Sequence, residues 1–368
     1  MTRRVAIVSP YALSVFGGVQ EQVTAMSREL SRRGDDVLIV APDARDDLLI
    51  ETPASVERFG RLVALPANGS RAPLTLSPMA ARRAHDAVRA FRADVVHYHE
   101  PFAPLVGWAT LRAHDAAAVA TFHRSGDGPA LRLTGPLLRS LATYLDASVA
   151  VSAQAASTIL RAAGIHARVL FNGFETARFL EHPRERATEV VLVTVGRLEE
   201  RKGTAWAIRA VRSHNARSND HWLLVVIGDG PQRAALDELA ERDPSIVFLD
   251  ALGDEQKRSW LRRANAVIAP ATRGESFGLV LLEAMASETS VVASDIDGYR
   301  EAAGGHAQLF APGDADDLER AIQVALASET PERIATARAH AEHWSMRRLM
   351  DEYELVYERA REHFGSNK

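Results

Sequence analysis

Glu275 and Glu283 frame the segment Gly274-Glu275-Ser276-Phe277-Gly278-Leu279-Val280-Leu281-Leu282-Glu283. A helix is expected to open at Phe277, just after a strand over Ala266–Ala269. That places Glu275 in the entry loop, beside the unpaired N–H groups of the first turn. Glu283 falls about two turns further on, along an otherwise apolar helix. A carboxylate in such a setting needs a partner, and either a ribose diol or an arginine from the core would supply one. Arg197 and Lys202 follow the strand-like run Val190–Val195 in Gly196-Arg197-Leu198-Glu199-Glu200-Arg201-Lys202-Gly203. Two cations beyond the carboxyl end of a strand can neutralise a diphosphate, Arg as a fork and Lys as a point charge. The alternative is a solvated loop. The chain has only three lysines, Lys202, Lys257 and Lys368, so the use of one here is itself a signal. Gly17-Gly18 lies between the first strand and a helix expected from near Gln20. Glycines there let backbone N–H groups approach an anion at a helix N-terminus, or serve a turn that needs positive φ.

Other chemistries are excluded by what the sequence lacks. No Gly-Lys-Ser/Thr phosphate loop, His-Glu-x-x-His or Gly-x-Ser-x-Gly occurs, and Gly228-Asp229-Gly230 lacks the third glycine of a dinucleotide fingerprint. The absence of cysteine among 368 residues excludes disulfides, thiolate metal sites and a cysteine nucleophile. With 44 Lys+Arg against 48 Asp+Glu, a net charge of −4 and 46% apolar side chains, the composition is that of a globular enzyme, not a nucleic-acid binder. No apolar run approaches the ~20 residues that span a bilayer. The stretch after Arg3 and Arg4, Val5-Ala6-Ile7-Val8, reads as a strand and not as a signal peptide.

These residues must be positioned by a scaffold of alternating strands and helices. Strands are expected at Val5–Val8, Val37–Val40, Leu62–Leu65, Val95–Tyr98, Ala117–Phe122, Ser148–Val151 and Arg168–Phe171. In the second half they are expected at Val190–Val195, Trp222–Ile227, Ile246–Leu249, Ala266–Ala269, Ser290–Ala293 and Ala307–Phe310. Several are apolar without alternation, as in strands covered on both faces, which predicts an α/β fold with parallel sheets. The pattern breaks once, between Phe171 and Glu189, at Asn172-Gly173 and a polar, charged stretch. The expected organisation is a domain over 1–175, a second over 176–345 and a terminal helix over 346–368, expected to pack back on the first. Two doubly wound domains facing one another leave a cleft at the carboxyl ends of both sheets, where ligands bind in such folds.

In this order and spacing, Gly17-Gly18-Val19, Gly196-Arg197…Lys202-Gly203, Gly228-Asp229-Gly230-Pro231 and Glu275-x7-Glu283 resemble retaining glycosyltransferases of family 4, from the first strand to the last helix. The resemblance implies the GT-B fold of two Rossmann-like domains. Ser9-Pro10-Tyr11, Gly17-Gly18-Val19-Gln20, Pro66-Ala67-Asn68-Gly69-Ser70, His97-Tyr98-His99-Glu100-Pro101, Ala120-Thr121-Phe122-His123 and Asn172-Gly173 are similar to the branch that moves mannose from GDP-mannose to phosphatidylinositol. The chain departs from that branch at Ala67, where an aromatic residue is usual, and at Pro73, where a basic one is, although Arg71 lies nearby. An enzyme of the same family with another UDP- or GDP-sugar and a soluble or polyprenyl-linked acceptor is the nearest alternative. A non-catalytic binding protein on the same fold would be expected to lose Arg197, Lys202 or Glu275, and all three are present.

The resemblance implies roles for particular residues. The backbone at Gly17 and Gly18, with Arg197 and Lys202, would hold the donor diphosphate. Glu283 would bind the ribose, and Glu275 with the N–H groups of Phe277 and Gly278 would hold the sugar hydroxyls. Leu252, Asp254 and Lys257 would frame the nucleobase. His123 would lie between donor sugar and acceptor, and Tyr11, Asn68 and Ser70 would face the acceptor. His123, Arg197, Lys202 and Glu275 form the implied catalytic set. Front-face attack is expected, with His123 as proton acceptor the less favoured route. No paired-aspartate site is present, so no obligatory metal is expected. The implied partners are a nucleotide-sugar donor, a phosphatidylinositol-type lipid and an anionic membrane surface, without nucleic acid. A cytoplasmic protein at the inner face of the cell membrane follows. Within Pro78–Arg92, Arg82, His85, Arg89 and Arg92 recur on one helical face, a stripe able to attract anionic lipids or simply to be solvated. Leu131, Leu133, Leu137, Leu138 and Leu141, broken by Pro136, suit a lid, a lipid-touching segment or an ordinary core helix.

Overall fold

The computed structural model describes residues 2–13, 18–42, 52–60, 63–67, 70–74, 77–113, 115–124, 129–185, 188–275 and 278–366, with the side chains of 63–67, 70–74 and 129–133 left aside. The chain divides into two compact units, Met1–Phe174 with Met346–Lys368, and Glu175–Ser345.

The strands of the first unit are β1 (Arg4–Val8), β2 (Asp36–Pro42), β3 (Ser55–Phe59), β4 (Val63–Ala67), β5 (Ser70–Leu74), β6 (Val95–His99), β7 (Ala117–Phe122), β8 (Ala147–Ala150) and β9 (Arg168–Val169). Seven form a parallel sheet in the order β3-β2-β1-β6-β7-β8-β9. Side chains alternate across it with period two. Val5 and Ile7 join a core that includes Met26, Leu30, Leu349, Met350 and Tyr353, while Ala6 and Val8 join one with Leu38, Ala84, Val88 and Tyr98. The helix Met346–Ser366 thus supplies one face of the first unit's core, through residues such as Leu349, Tyr353 and Tyr357.

The strands of the second unit are β10 (Val190–Val195), β11 (Trp222–Ile227), β12 (Ile246–Leu249), β13 (Ala266–Ala269), β14 (Ser290–Ser294) and β15 (Gln308–Phe310). They form a parallel sheet in the order β12-β11-β10-β13-β14-β15. In each sheet the order reverses once, at β1/β6 and at β10/β13, and the crevice at such a switch point is the binding place of open α/β sheets.

Two strands were not expected. Ser55–Phe59 is the sheet's edge strand and alternates in exposure, so it carries no continuous apolar run. The strand expected at Leu62–Leu65 is Val63–Ala67, paired antiparallel with Ser70–Leu74. Asn68-Gly69 between them is a hairpin sequence. Pro73 stands opposite Ala64 and Arg71 opposite Pro66. Two helices begin elsewhere than expected, at Gly18 instead of near Gln20 and at Leu279 instead of Phe277. The second shift has a backbone cause: Gly278 takes φ +69° and caps the helix, so regular geometry starts one residue later.

Candidate active site

In the second unit three of the expected donor residues, Arg197, Lys202 and Glu275, collect at the β10/β13 switch point. Gly196, Arg197, Lys202, Thr204, Pro270 and Tyr299 line one pocket there. The loops after β10 and β13 are fastened by main-chain contacts. Thr272 N–H donates to Arg201 O at 2.8 Å. A Cβ on Gly203 (φ +70°) would meet Pro270 O at 1.9 Å, so only glycine permits the approach. Gly228-Asp229-Gly230 is part of this scaffold: a Cβ on Gly228 would meet Gly196 O at 2.0 Å, and Leu198 N–H donates to Asp229 O at 3.0 Å.

Charge is concentrated between those loops. Glu275 Oε1 accepts from Arg201 Nη1 at 2.7 Å and pairs with Lys202 Nζ at 2.8 Å, and the carboxylate is 13% exposed. Arg201 Nε also reaches Glu199 at 2.9 Å, and Arg197 Nη1 lies 3.3 Å from the same carboxylate. Arg197 is the more exposed cation, at 56% against 22% for Lys202. Tyr299 is buried beside them, its phenol pushed up by burial and then by the Glu275 carboxylate. Glu283 is buried at 4% exposure and pairs with Lys257, with Nζ to Oε1 at 2.9 Å. Lys257 also lies 3.5 Å from Asp254, which opens the helix Asp254–Arg263, and Leu252 is half-buried just before it. The structure therefore joins the expected ribose and nucleobase residues through one ion pair.

In the first unit two of the residues expected on the acceptor side, Tyr11 and His123, lie just after β1 and β7, beside the end of β6. Gly18 opens the helix Gly18–Arg32 and is exposed, and an added Cβ would meet nothing within 4 Å among the described residues. Tyr11 is half-buried after β1, and its phenol is pushed up by burial and then by the Glu100 carboxylate. Glu100 itself stands at φ +50°, in the left-handed region. Its Oε1 accepts the backbone N–H groups of His123 at 2.5 Å and Arg124 at 2.6 Å, so the end of β6 fixes the residues after β7. Burial raises the Glu100 carboxyl, against the pull of those N–H groups.

Beneath His123 lies a polar ladder. His97 and His99 share one face of β6 by the period of two, opposite Thr121 on β7. His123 Nε2 lies 2.9 Å from His99 Nδ1, and the rings stack with centroids 5.1 Å apart. His97 bonds Tyr357 OH and Thr121 Oγ1, each at 2.7 Å, and Thr121 bonds Tyr353 OH at 2.7 Å. Burial pushes His97 down to about 3 and His123 down to about 4, and lowers His99 as well, so all three imidazoles are neutral at neutral pH. His99 Nε2 is buried without a partner among the described residues.

Gly17, Asn68 and Phe277 lie outside the described residues, and Ser70 is placed only as backbone of β5. Arg201, Glu100, His99 and Tyr299 were missed as site residues. Two histidines spaced by two in an otherwise apolar strand are a sequence signal for the ladder. Arg201 gave none, being one arginine among many. No group of three or more His, Cys, Asp or Glu able to hold a metal ion is found among the described residues.

The helix Pro78–Phe91 buries Ala80, Ala81, Ala84 and Val88, and it exposes Arg82 and Arg89, with Arg92 exposed at its C-cap. His85 is half-buried beside Asp86, at 3.2 Å. Leu138 and Leu141 of the helix Pro129–Ala142 are core residues, while Leu137 is 41% exposed; Leu131 and Leu133 lie outside the described side chains. No helix among the described residues is long and apolar enough to cross a membrane.

Comparison with known proteins identifies the family. Residues 16–178 match the family model of glycosyltransferase family 4, and residues 189–328 match that of glycosyl transferases group 1. Phosphatidyl-myo-inositol mannosyltransferase of Mycolicibacterium smegmatis is 33% identical, over 96% of this chain and 94% of its own. The protein of that name from Propionibacterium freudenreichii is 32% identical, over 99% and 97%. Among solved structures, a glycosyltransferase from Rickettsia africae superposes with a TM-score of 0.73 at 15% identity, covering 98% of each chain. The chain belongs to glycosyltransferase family 4 and has the GT-B fold.

Proposed function

We propose that this glycosyltransferase moves mannose from GDP-mannose to phosphatidylinositol or a related lipid, with retention of configuration. The observation that carries the reading is the full-length likeness to proteins named phosphatidyl-myo-inositol mannosyltransferase. The geometry of the second unit supports its donor half. Arg197 and Lys202 neutralise the diphosphate, with the backbone at Gly17 and Gly18 as further donors. Glu275 holds the sugar hydroxyls together with the N–H groups of Phe277 and Gly278. Glu283 binds the ribose, with Lys257 keeping its charge matched in the core, and Leu252, Asp254 and Lys257 frame the base.

In this reading the bond from C1 to the diphosphate oxygen breaks, and its electron pair stays on the leaving phosphate. The acceptor hydroxyl oxygen bonds C1 on the same face, and its proton passes to a phosphate oxygen. Preorganised cations stabilise the charge that develops on the leaving group. His123, with an imidazole pushed down to about 4, is too weak a base to take the proton efficiently at neutral pH. It serves instead as a neutral hydrogen-bonding group between sugar and acceptor, with Tyr11, Asn68 and Ser70 facing the acceptor. No obligatory metal enters the scheme. The exposed Arg82, Arg89 and Arg92 supply the attraction to anionic lipid that a peripheral enzyme at the inner membrane face needs.

The departures at Ala67 and Pro73 favour a second reading, in which the family's chemistry is kept with another donor and a soluble or polyprenyl-linked acceptor. Nucleotide release from GDP-mannose, UDP-glucose and UDP-N-acetylglucosamine, with and without phosphatidylinositol vesicles, separates the two. Release of GDP that needs both GDP-mannose and vesicles is the expected result. Turnover of a UDP-sugar, or indifference to phosphatidylinositol, would sink the lipid mannosyltransferase.

A further inference from the structure

Arg197 and Lys202, the cations assigned to the diphosphate, are each held by a carboxylate in this structure. Arg197 lies 3.3 Å from Glu199, and Lys202 lies 2.8 Å from Glu275. A cation that turns to a diphosphate loosens its hold on its carboxylate, and a part-buried carboxylate that loses a partner is costly. Arg201 is bonded to both carboxylates at once, through Nε to Glu199 at 2.9 Å and Nη1 to Glu275 at 2.7 Å. Its place is fixed from the main chain as well: its carbonyl accepts Thr272 N–H at 2.8 Å, and Nη1 donates to Gly274 O at 3.2 Å.

We infer that Arg201 is a positioning residue that keeps Glu199 and Glu275 neutralised, so that Arg197 and Lys202 are free to exchange onto the donor diphosphate. It does so without touching the diphosphate itself. The planar fork matters, because one guanidinium serves two carboxylates on separate loops where a lysine would serve one well. The inference rests on the proposed role of Arg197 and Lys202 and adds a third cation to it.

The test is the affinity of the full chain for nucleoside diphosphate, measured by calorimetry for both GDP and UDP, so that the nucleobase does not decide the result. Arg201→Gln should weaken binding about tenfold, between the small worth of an exposed pair and the larger one of a part-buried network. Arg201→Lys should lose less. Adding Glu199→Gln to Arg201→Gln should restore part of the affinity, because Arg197 is then no longer held back while Lys202 stays on Glu275. Rescue by neutralising a second side chain is not expected of a residue that only supports the fold. Unchanged affinity in Arg201→Gln, or a loss that Glu199→Gln does not repair, would overturn the inference. Should Arg201→Gln unfold, as read by circular dichroism, Arg201→Lys and its pair with Glu199→Gln give the same contrast. Failure of the unaltered chain to bind either nucleotide would instead remove the diphosphate site.

Discussion

At the scale of single residues, the proposed donor site is a balance of a few charges. Lys202 has one strong partner, Glu275, and its stem folds back within 3.9 Å of a Cβ placed on Gly196. Lys202→Ala should therefore leave the fold intact and cut sugar transfer by roughly 100–1,000-fold, the usual worth of one preorganised group facing developing charge. Steady-state transfer rates beside a thermal melt check this, and retained activity would remove Lys202 from the site. Arg197, Lys202, Glu275 and Glu283 were legible in the sequence because charge stood out beside apolar strands and an apolar helix. The pairing of Glu283 with Lys257 was not, since 26 residues separate them and only the fold joins them.

Among the elements, the long apolar strands were legible and the edges were not. Val190–Val195 and Trp222–Ile227 appear with the expected bounds because both sheet faces are covered. The edge strand Ser55–Phe59 and the hairpin strand Ser70–Leu74 lack such a run, and their pairing is set by neighbours far from any local pattern. The junction of β6 and β7 carries its own predictions. Glu100→Ala strips the acceptor from two backbone N–H groups and should cost about 2 kcal/mol of stability in urea unfolding. The ladder also fixes a pH dependence. An imidazole held at about 3 or about 4 when folded and near 6.5 when unfolded binds fewer protons in the native state, so stability rises with pH across that window. Acidification from about pH 6.5 to about pH 5 should then cost about 2 kcal/mol for each such imidazole. His97→Gln should flatten the slope by that amount, and an unaltered slope would mean that His97 is not held neutral.

For the whole molecule, the parallel-sheet architecture of each unit was legible from alternation of strands and helices, and so was the break near residue 175. What the helix Met346–Ser366 contributes to the first unit was less so, because Tyr353 and Tyr357 meet Thr121 and His97 across more than 200 residues of chain. At this scale the basic face of Pro78–Phe91 meets its test. Changing Arg82, Arg89 and Arg92 to Gln should weaken co-sedimentation with anionic vesicles about tenfold, at roughly 1 kcal/mol per arginine near the surface discounted for screening. GDP affinity should stay as it was. Equal vesicle binding would make that face ordinary surface. Transfer itself is tested most directly by mass analysis of phosphatidylinositol vesicles incubated with the chain and GDP-mannose. The phospholipid should gain the mass of one hexose less one water, in step with GDP released. Phosphatidylinositol left unchanged with GDP-mannose, while a UDP-sugar is consumed in a parallel incubation, would contradict the assignment of both donor and acceptor.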